Sequence, residues 1–183
     1  MGMPAQQTEW TAEMARALPD DGQRYEVLDG VLFVNPAPSL HHQDIVGRLY
    51  LLIEPYVREH GLGWTFLSPA DVEFSPRRRL QPDLFVVPDT GNGKPRTWPE
   101  VKKLLLTIEV KSTSTARLDR VEKRQTYQSE RVPEYWIVDP DSRIVDRWTP
   151  DDARSEVLEE VVEWQPREGI PPLRIILADL FEF

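Results

Sequence analysis

No cysteine occurs among the 183 residues, which excludes disulfides, thiolate metal sites and a cysteine nucleophile. Histidine is nearly as scarce. His41, His42 and His60 are too few for a histidine-rich zinc site. No segment approaches the roughly 18 consecutive apolar residues of a membrane span, so no membrane partner is expected. The opening Met1-Gly2-Met3-Pro4-Ala5-Gln6 has neither the basic flank nor the apolar core of a signal peptide, and the cytoplasm is the expected compartment. Excess positive charge is missing as well. A formal net charge of −9 argues against a nucleic-acid partner, because phosphate contacts dominate such binding.

That acidity is uneven. Residues 149–183 hold nine acidic and three basic side chains, which leaves 22 acidic and 19 basic ones for residues 1–148. The objection to nucleic acid therefore rests mostly on the tail. Arg77-Arg78-Arg79 is the one compact basic run, read either as a solvated turn or as a phosphate contact. The length suits one domain, 1–183, with a motif core over about 24–140 and the acidic 149–183 as its C-terminal extension. No internal repeat is apparent.

Element signals follow in order. Thr8 to Leu18 reads as a short helix capped by Thr8. Arg24 to Asn35 reads as a hairpin turning at Asp29-Gly30, which pairs Leu28 with Val31 and Glu26 with Phe33. Ser39 caps a helix from about His41 to His60, whose apolar stripe is Ile45, Leu49, Leu52, Ile53 and Tyr56. His42 lies in its first turn and is assigned no catalytic task. Short strands at 64–67 and 71–74 lead to an apolar run, Leu84 to Val87, and a Pro- and Gly-rich connection (88–99) leads to a second, Leu104 to Ile108. A polar helix over about 117–131 precedes a hairpin of strands 134–138 and 143–148. An edge strand over 155–164, an apolar run over 173–177 and a closing turn over 178–181 complete the chain. This order predicts an α/β sandwich, a mixed sheet flanked by helices.

The chemistry concentrates at the ends of the two apolar runs. Gln81-Pro82-Asp83 opens the first, and Ile108-Glu109-Val110-Lys111 closes the second. Side chains alternate along a strand, so Glu109 and Lys111 face one side and Val110 the other. If the strands are neighbours, Asp83 joins them. Two adjacent carboxylates repel unless a cation lies between them, and oxygen ligands suit Mg²⁺ or Mn²⁺. Lys111 would then stabilise charge developing at a phosphorus centre. The bland alternative is a strand that ends in charged residues where it reaches solvent. Glu26, alone on an apolar hairpin face, needs a partner. It either pairs with an arginine at a sheet edge or supports the metal site. Asp119, Lys123 and Tyr127 share one helix face, with Asp119 and Lys123 as an i,i+4 pair that would be worth little on a surface.

Several segments together resemble the Uma-two family: Tyr25-Glu26-Val27-Leu28-Asp29-Gly30, Pro36-Ala37-Pro38-Ser39 with His42, Gln81-Pro82-Asp83-Leu84, and Ile108-Glu109-Val110-Lys111-Ser112. Glu122-Lys123-Arg124, Tyr127 and Pro133-Glu134-Tyr135-Trp136-Ile137-Val138-Asp139-Pro140 extend the resemblance, which spans roughly Tyr25 to Pro140. It implies a restriction-endonuclease-like fold of the PD-(D/E)XK superfamily and a metal-dependent nuclease, with Lys123 and Tyr127 turned toward the site. Many members carry an apolar residue where this chain has Lys111, so the full Glu-x-Lys favours an intact site. The expected activity is Mg²⁺-dependent hydrolysis of phosphodiester bonds in nucleic acid, DNA before RNA, by a chain that could form a homodimer. Two other functions compete with it: a catalytically silent module that binds nucleic acid or itself, and a hydrolase of small phosphoesters.

Overall fold

Runs of apolar residues without polar alternation build the middle of the structure, a computed structural model that describes residues 9–112 and 118–182. The chain begins with a short helix α1 (Ala12–Arg16) and the hairpin β1 (Arg24–Leu28) and β2 (Val31–Asn35). The long helix α2 (Leu40–Glu59), strands β3 (Gly63–Leu67), β4 (Val72–Ser75), β5 (Arg78–Leu80) and β6 (Leu84–Pro88), and a 3₁₀ turn (Trp98–Glu100) follow. Next come β7 (Leu106–Val110), a π-helical segment (Leu118–Lys123) and α3 (Arg124–Ser129). Strands β8 (Glu134–Asp139), β9 (Ile144–Trp148), β10 (Glu156–Leu158), β11 (Val161–Trp164) and β12 (Leu173–Ile176), with α4 (Leu177–Leu180), end the described chain.

Six strands form the main sheet in the order β10-β9-β8-β7-β6-β3, parallel only between β7 and β8. Its central strands are covered on both faces, which explains their continuous apolar runs. Leu84, Val86, Leu106, Ile108 and Trp136 pack on one face with Ile45, Leu49 and Ile53 of α2. Phe85, Val87, Tyr135 and Ile137 pack on the other with Tyr127, Leu80 and Val72. The antiparallel sheet β2-β1-β5-β4 lies over this second face, and β11 and β12 pair separately. No described helix is long and apolar enough to cross a membrane.

Local signals and structure agree at several points. Asp29 (φ 49°) and Gly30 (φ 84°) are both left-handed, the geometry of a tight two-residue hairpin turn, and the expected register is observed. Ser39 Oγ accepts from the His42 amide at 3.2 Å and caps α2.

Other expectations need correction. The first helix starts at Ala12 and is capped by Thr11, while Thr8 lies outside the described residues. Leu52 is 40 % exposed and lies off the core stripe of α2. The edge strand expected over 155–164 is two strands with different partners, β10 on the main sheet and β11 on β12. The polar helix begins as a π-helix among its described residues.

Candidate active site

Asp83 precedes β6 and Glu109 is the fourth residue of β7, so the antiparallel pairing brings both to the same end of the sheet. Their strand parity points both away from α2, onto the face shared by Tyr135 and Ile137. The Val110 amide donates to Asp83 Oδ2 at 2.8 Å and ties the two positions together. Val110 itself packs on the opposite face, as alternation requires.

Glu26 joins them from the second sheet. Its Oε2 accepts from Asn35 Nδ2 at 2.6 Å, and its Oε1 from the Gln81 amide at 2.7 Å. Glu26 does not pair with an edge arginine. Its cationic partner is Lys123, whose ammonium lies 3.0 Å from Glu26, 2.9 Å from Glu109 and 3.4 Å from Asp119. Lys123 is 1 % exposed, so its contact with Asp119 is a buried pair and not a surface salt bridge. The wide π turn keeps the two on one face. Tyr127, one turn further on, donates to Glu109 Oε1 at 3.2 Å.

Lys111 is placed differently. It shares a sheet face with Glu109, yet its ammonium donates to Asp139 Oδ2 at 2.7 Å and lies 3.9 Å from Asp141. Asp139 comes from the end of β8, the parallel neighbour of β7. The lysine among the carboxylates is therefore Lys123.

Two further residues reach the site. Arg24, two positions before Glu26 on β1, donates from Nη1 to Asp83 Oδ1 at 2.6 Å. His42 Nε2 lies 3.0 Å from Asp83 Oδ2. The i,i+2 spacing of Arg24 and Glu26 was a usable signal for the first. For His42 the local signal pointed only to a first-turn residue. The basic run is divided among carboxylates: Arg77 pairs with Glu9, Arg78 with Asp29 and Glu130, and Arg79 with the buried Asp71. It is a set of structural ion pairs.

Electrostatics separate the carboxylates. Burial pushes the Asp83 carboxyl up, but the His42 hydrogen bond and the Arg24 guanidinium outweigh it and bring it down to about 2. Burial pushes Glu109 well above its ordinary range, helped by the negative charges of Asp119, Asp83 and Glu26 and only partly opposed by Lys123. Burial disfavours the Lys123 ammonium, yet Glu109, Glu26 and Asp119 more than compensate and raise its pKa. Burial, with Glu109 beside it, also lifts the Tyr127 phenol well above its usual value.

Among the described residues, three buried carboxylates (Glu26, Asp83, Glu109) thus face two permanent cations, Arg24 and Lys123. A divalent cation would balance that excess, and an all-oxygen donor set suits Mg²⁺ or Mn²⁺. No group of three or more His, Asp or Glu side chains among the described residues is arranged to hold a metal ion. Mg²⁺ needs no such cage, since one or two carboxylates with waters and substrate phosphate suffice. Asp83 and Glu109 are the two carboxylates that the pairing of β6 with β7 brings to one sheet end and that would serve as such ligands. Two concavities of about 330 Å³ each flank the Arg24–His42 wall. One reaches Asp83, and the other is lined by Lys111, His41 and Asp141.

The protein is thus an α/β fold whose mixed sheet gathers acidic residues at one end of its central strands. The crystal structure of a putative nuclease belonging to DUF820, from Anabaena variabilis ATCC 29413, has the same fold, with a TM-score of 0.75 at 20% identity. The match covers 93% of this chain and 97% of that one. The chain belongs to the Uma2 family, described as "Putative restriction endonuclease", whose model matches residues 12–178. No curated protein matches it.

Proposed function

We propose that the protein is a divalent-metal-dependent endonuclease acting on DNA, with Asp83 and Glu109 as ligands of Mg²⁺ or Mn²⁺. The supporting observation is the buried charge imbalance at the sheet end, beside a concavity that opens onto Asp83. When bound, the cation supplies Lewis-acid polarisation of the phosphate. Arg24 and His42 hold the two oxygens of Asp83 in fixed orientation and keep that carboxyl ionised. Lys123 and Tyr127 orient Glu109 through one oxygen, Oε1. Lys123 supplies the positive charge shared by Glu26 and Glu109, and Glu26, fixed by Asn35 and the Gln81 amide, keeps that ammonium in place. Lys111 and Arg24 both line the second concavity, and in this reading Lys111, held by Asp139, meets the substrate backbone there.

One observation favours a second reading, the catalytically silent module: both oxygens of Asp83 are already engaged by Arg24, His42 and the Val110 amide. A nuclease assay decides between them. Single-stranded, double-stranded and supercoiled DNA are incubated with Mg²⁺ or Mn²⁺ beside a Glu109→Ala control. Metal-dependent cleavage that the control lacks supports the enzyme, and DNA binding without cleavage supports the module.

A further inference from the structure

The concavity that reaches Asp83 differs in character from the site at its floor. Leu18, Pro19, Pro38 and Pro69 give it carbon walls, while the amide of Gln43 and the hydroxyl of Ser68 offer polar edges. Three arginines line it, but two are already neutralised: Arg16 by Glu73 at 2.5 Å and Arg79 by Asp71 through a bidentate contact at 2.7 and 2.8 Å. The third, Arg24, sits on Asp83. The cavity therefore offers no spare cation for a second phosphate and is suited to an uncharged group with flat apolar faces and a hydrogen-bonding rim. Gln81 lines it too, and its Oε1 is buried with no hydrogen-bond partner among the described residues. Such an orphan acceptor calls for a donor. At about 330 Å³ the volume lies near the lower end of the roughly 300–1,000 Å³ typical of ligand pockets. It has room for one nucleoside and not for a stacked pair.

We infer that this cavity is the subsite for the nucleoside next to the phosphate handled at Asp83, with the base held between the proline and leucine walls and read by the amide edges. The inference rests on the nuclease reading and deepens it. A base can enter only when unstacked and unpaired, so the substrate is single-stranded nucleic acid or an unpaired stretch within a duplex.

The test separates binding from cleavage. Gln43 is exposed, lines the cavity and has no part in holding Asp83, so Gln43→Trp fills the subsite from its rim without disturbing the core. Binding of a fluorescent single-stranded oligonucleotide is measured in chelator, next to the same sequence as a duplex. The parent should bind the single strand about tenfold or more tighter, because the duplex must first lose stacking and pairing. Gln43→Trp should erase that preference at unchanged melting temperature. Equal affinity for both forms, or a preference that survives Gln43→Trp in a folded protein, overturns the subsite. If the preference is present and sensitive to Gln43→Trp while no cleavage occurs with any metal, the catalytic reading fails and the subsite stands. If metal-dependent cleavage treats both forms alike in parent and variant, the subsite fails and the nuclease stands.

Discussion

Lys123→Met tests the electrostatic core of the site most directly. Methionine keeps the length of the side chain and its apolar stem, and it removes only the charge and its donors. The ammonium lies within 3.4 Å of Glu26, Glu109 and Asp119, all fully buried. Removing one partner of a buried ion pair costs about 3–5 kcal/mol, because the remaining charge stays desolvated. Glu109 offsets part of this by taking up a proton, to which burial and its acidic neighbours already predispose it. The lower end of that range therefore applies in acid and the upper end at neutral pH and above. For a chain of this length each kcal/mol moves the melting temperature by about 2–4 °C, so the metal-free variant should melt roughly 6–20 °C below the parent. Mn²⁺ should then recover more stability in the variant than in the parent, since it meets one more uncompensated negative charge, while the cleavage rate falls by about 10²–10³ with the lost positive charge. Scanning calorimetry with and without Mn²⁺ at several pH values reads all but the rate. A variant as stable as the parent, or one whose Mn²⁺ shift is no larger, would refute the idea that Lys123 neutralises the cluster in the absence of metal.

Three further outcomes follow from the same geometry. Mn²⁺ at about ten times its Kd should stabilise the parent by roughly 1.4 kcal/mol, about 3–5 °C in melting temperature, and should leave Asp83→Asn unshifted; equal shifts in both proteins would move the metal elsewhere. Glu109 has a folded pKa raised above its ordinary 4.5, so the stability it contributes is full below that value and is lost as pH rises through the elevated one. Metal-free Glu109→Gln should therefore gain melting temperature relative to the parent with increasing pH above about 4.5, and a constant difference across the titration would contradict the shift. Lys111 is engaged by Asp139, so the rate of Lys111→Ala in a plasmid-cleavage assay should fall by less than the about 10²–10³ expected of Lys123→Met; the reverse order would return the main catalytic charge to Lys111.

Much of the frame was legible because the signals are local. The left-handed turn at Asp29-Gly30, the Ser39 cap and the continuous runs into β6 and β7 each depend on residues a few positions apart, and each is observed as read. Asp83 and Glu109 converge because the antiparallel pairing of two such runs leaves their charged ends little freedom. The partners of those charges were harder to read. Lys111 has Asp139 as its partner 28 residues on, through a parallel β7–β8 contact that no spacing rule announces. His42 is drawn inward by Asp83, 41 residues away. The Arg77–Arg79 run looked like one basic feature, yet four carboxylates from separate segments take it apart: Glu9, Asp29, Glu130 and Asp71. Opposite charges across sheets find each other by packing, and packing is non-local.

The molecule contains its own control for what the site means. Arg79 and Asp71 are both buried and meet one to one, with a bidentate contact that Gln81 completes at 2.9 Å. That is how a buried charge is made tolerable: a partner, good geometry and every lone pair used. On the other side of Gln81, whose amide holds Glu26, three buried carboxylates (Glu26, Asp83, Glu109) face two permanent cations among the described residues, and Glu109 is left with a strongly raised pKa. Stability alone would favour balancing or removing such charges, since apolar replacements of buried ion clusters are often neutral or better. The imbalance sits where two strand ends, a π-helical turn and the first turn of α2 converge beside an open concavity. A local rule broken at one place and obeyed next door is the pattern expected of a functional site, and it supports the proposal that a cation enters there.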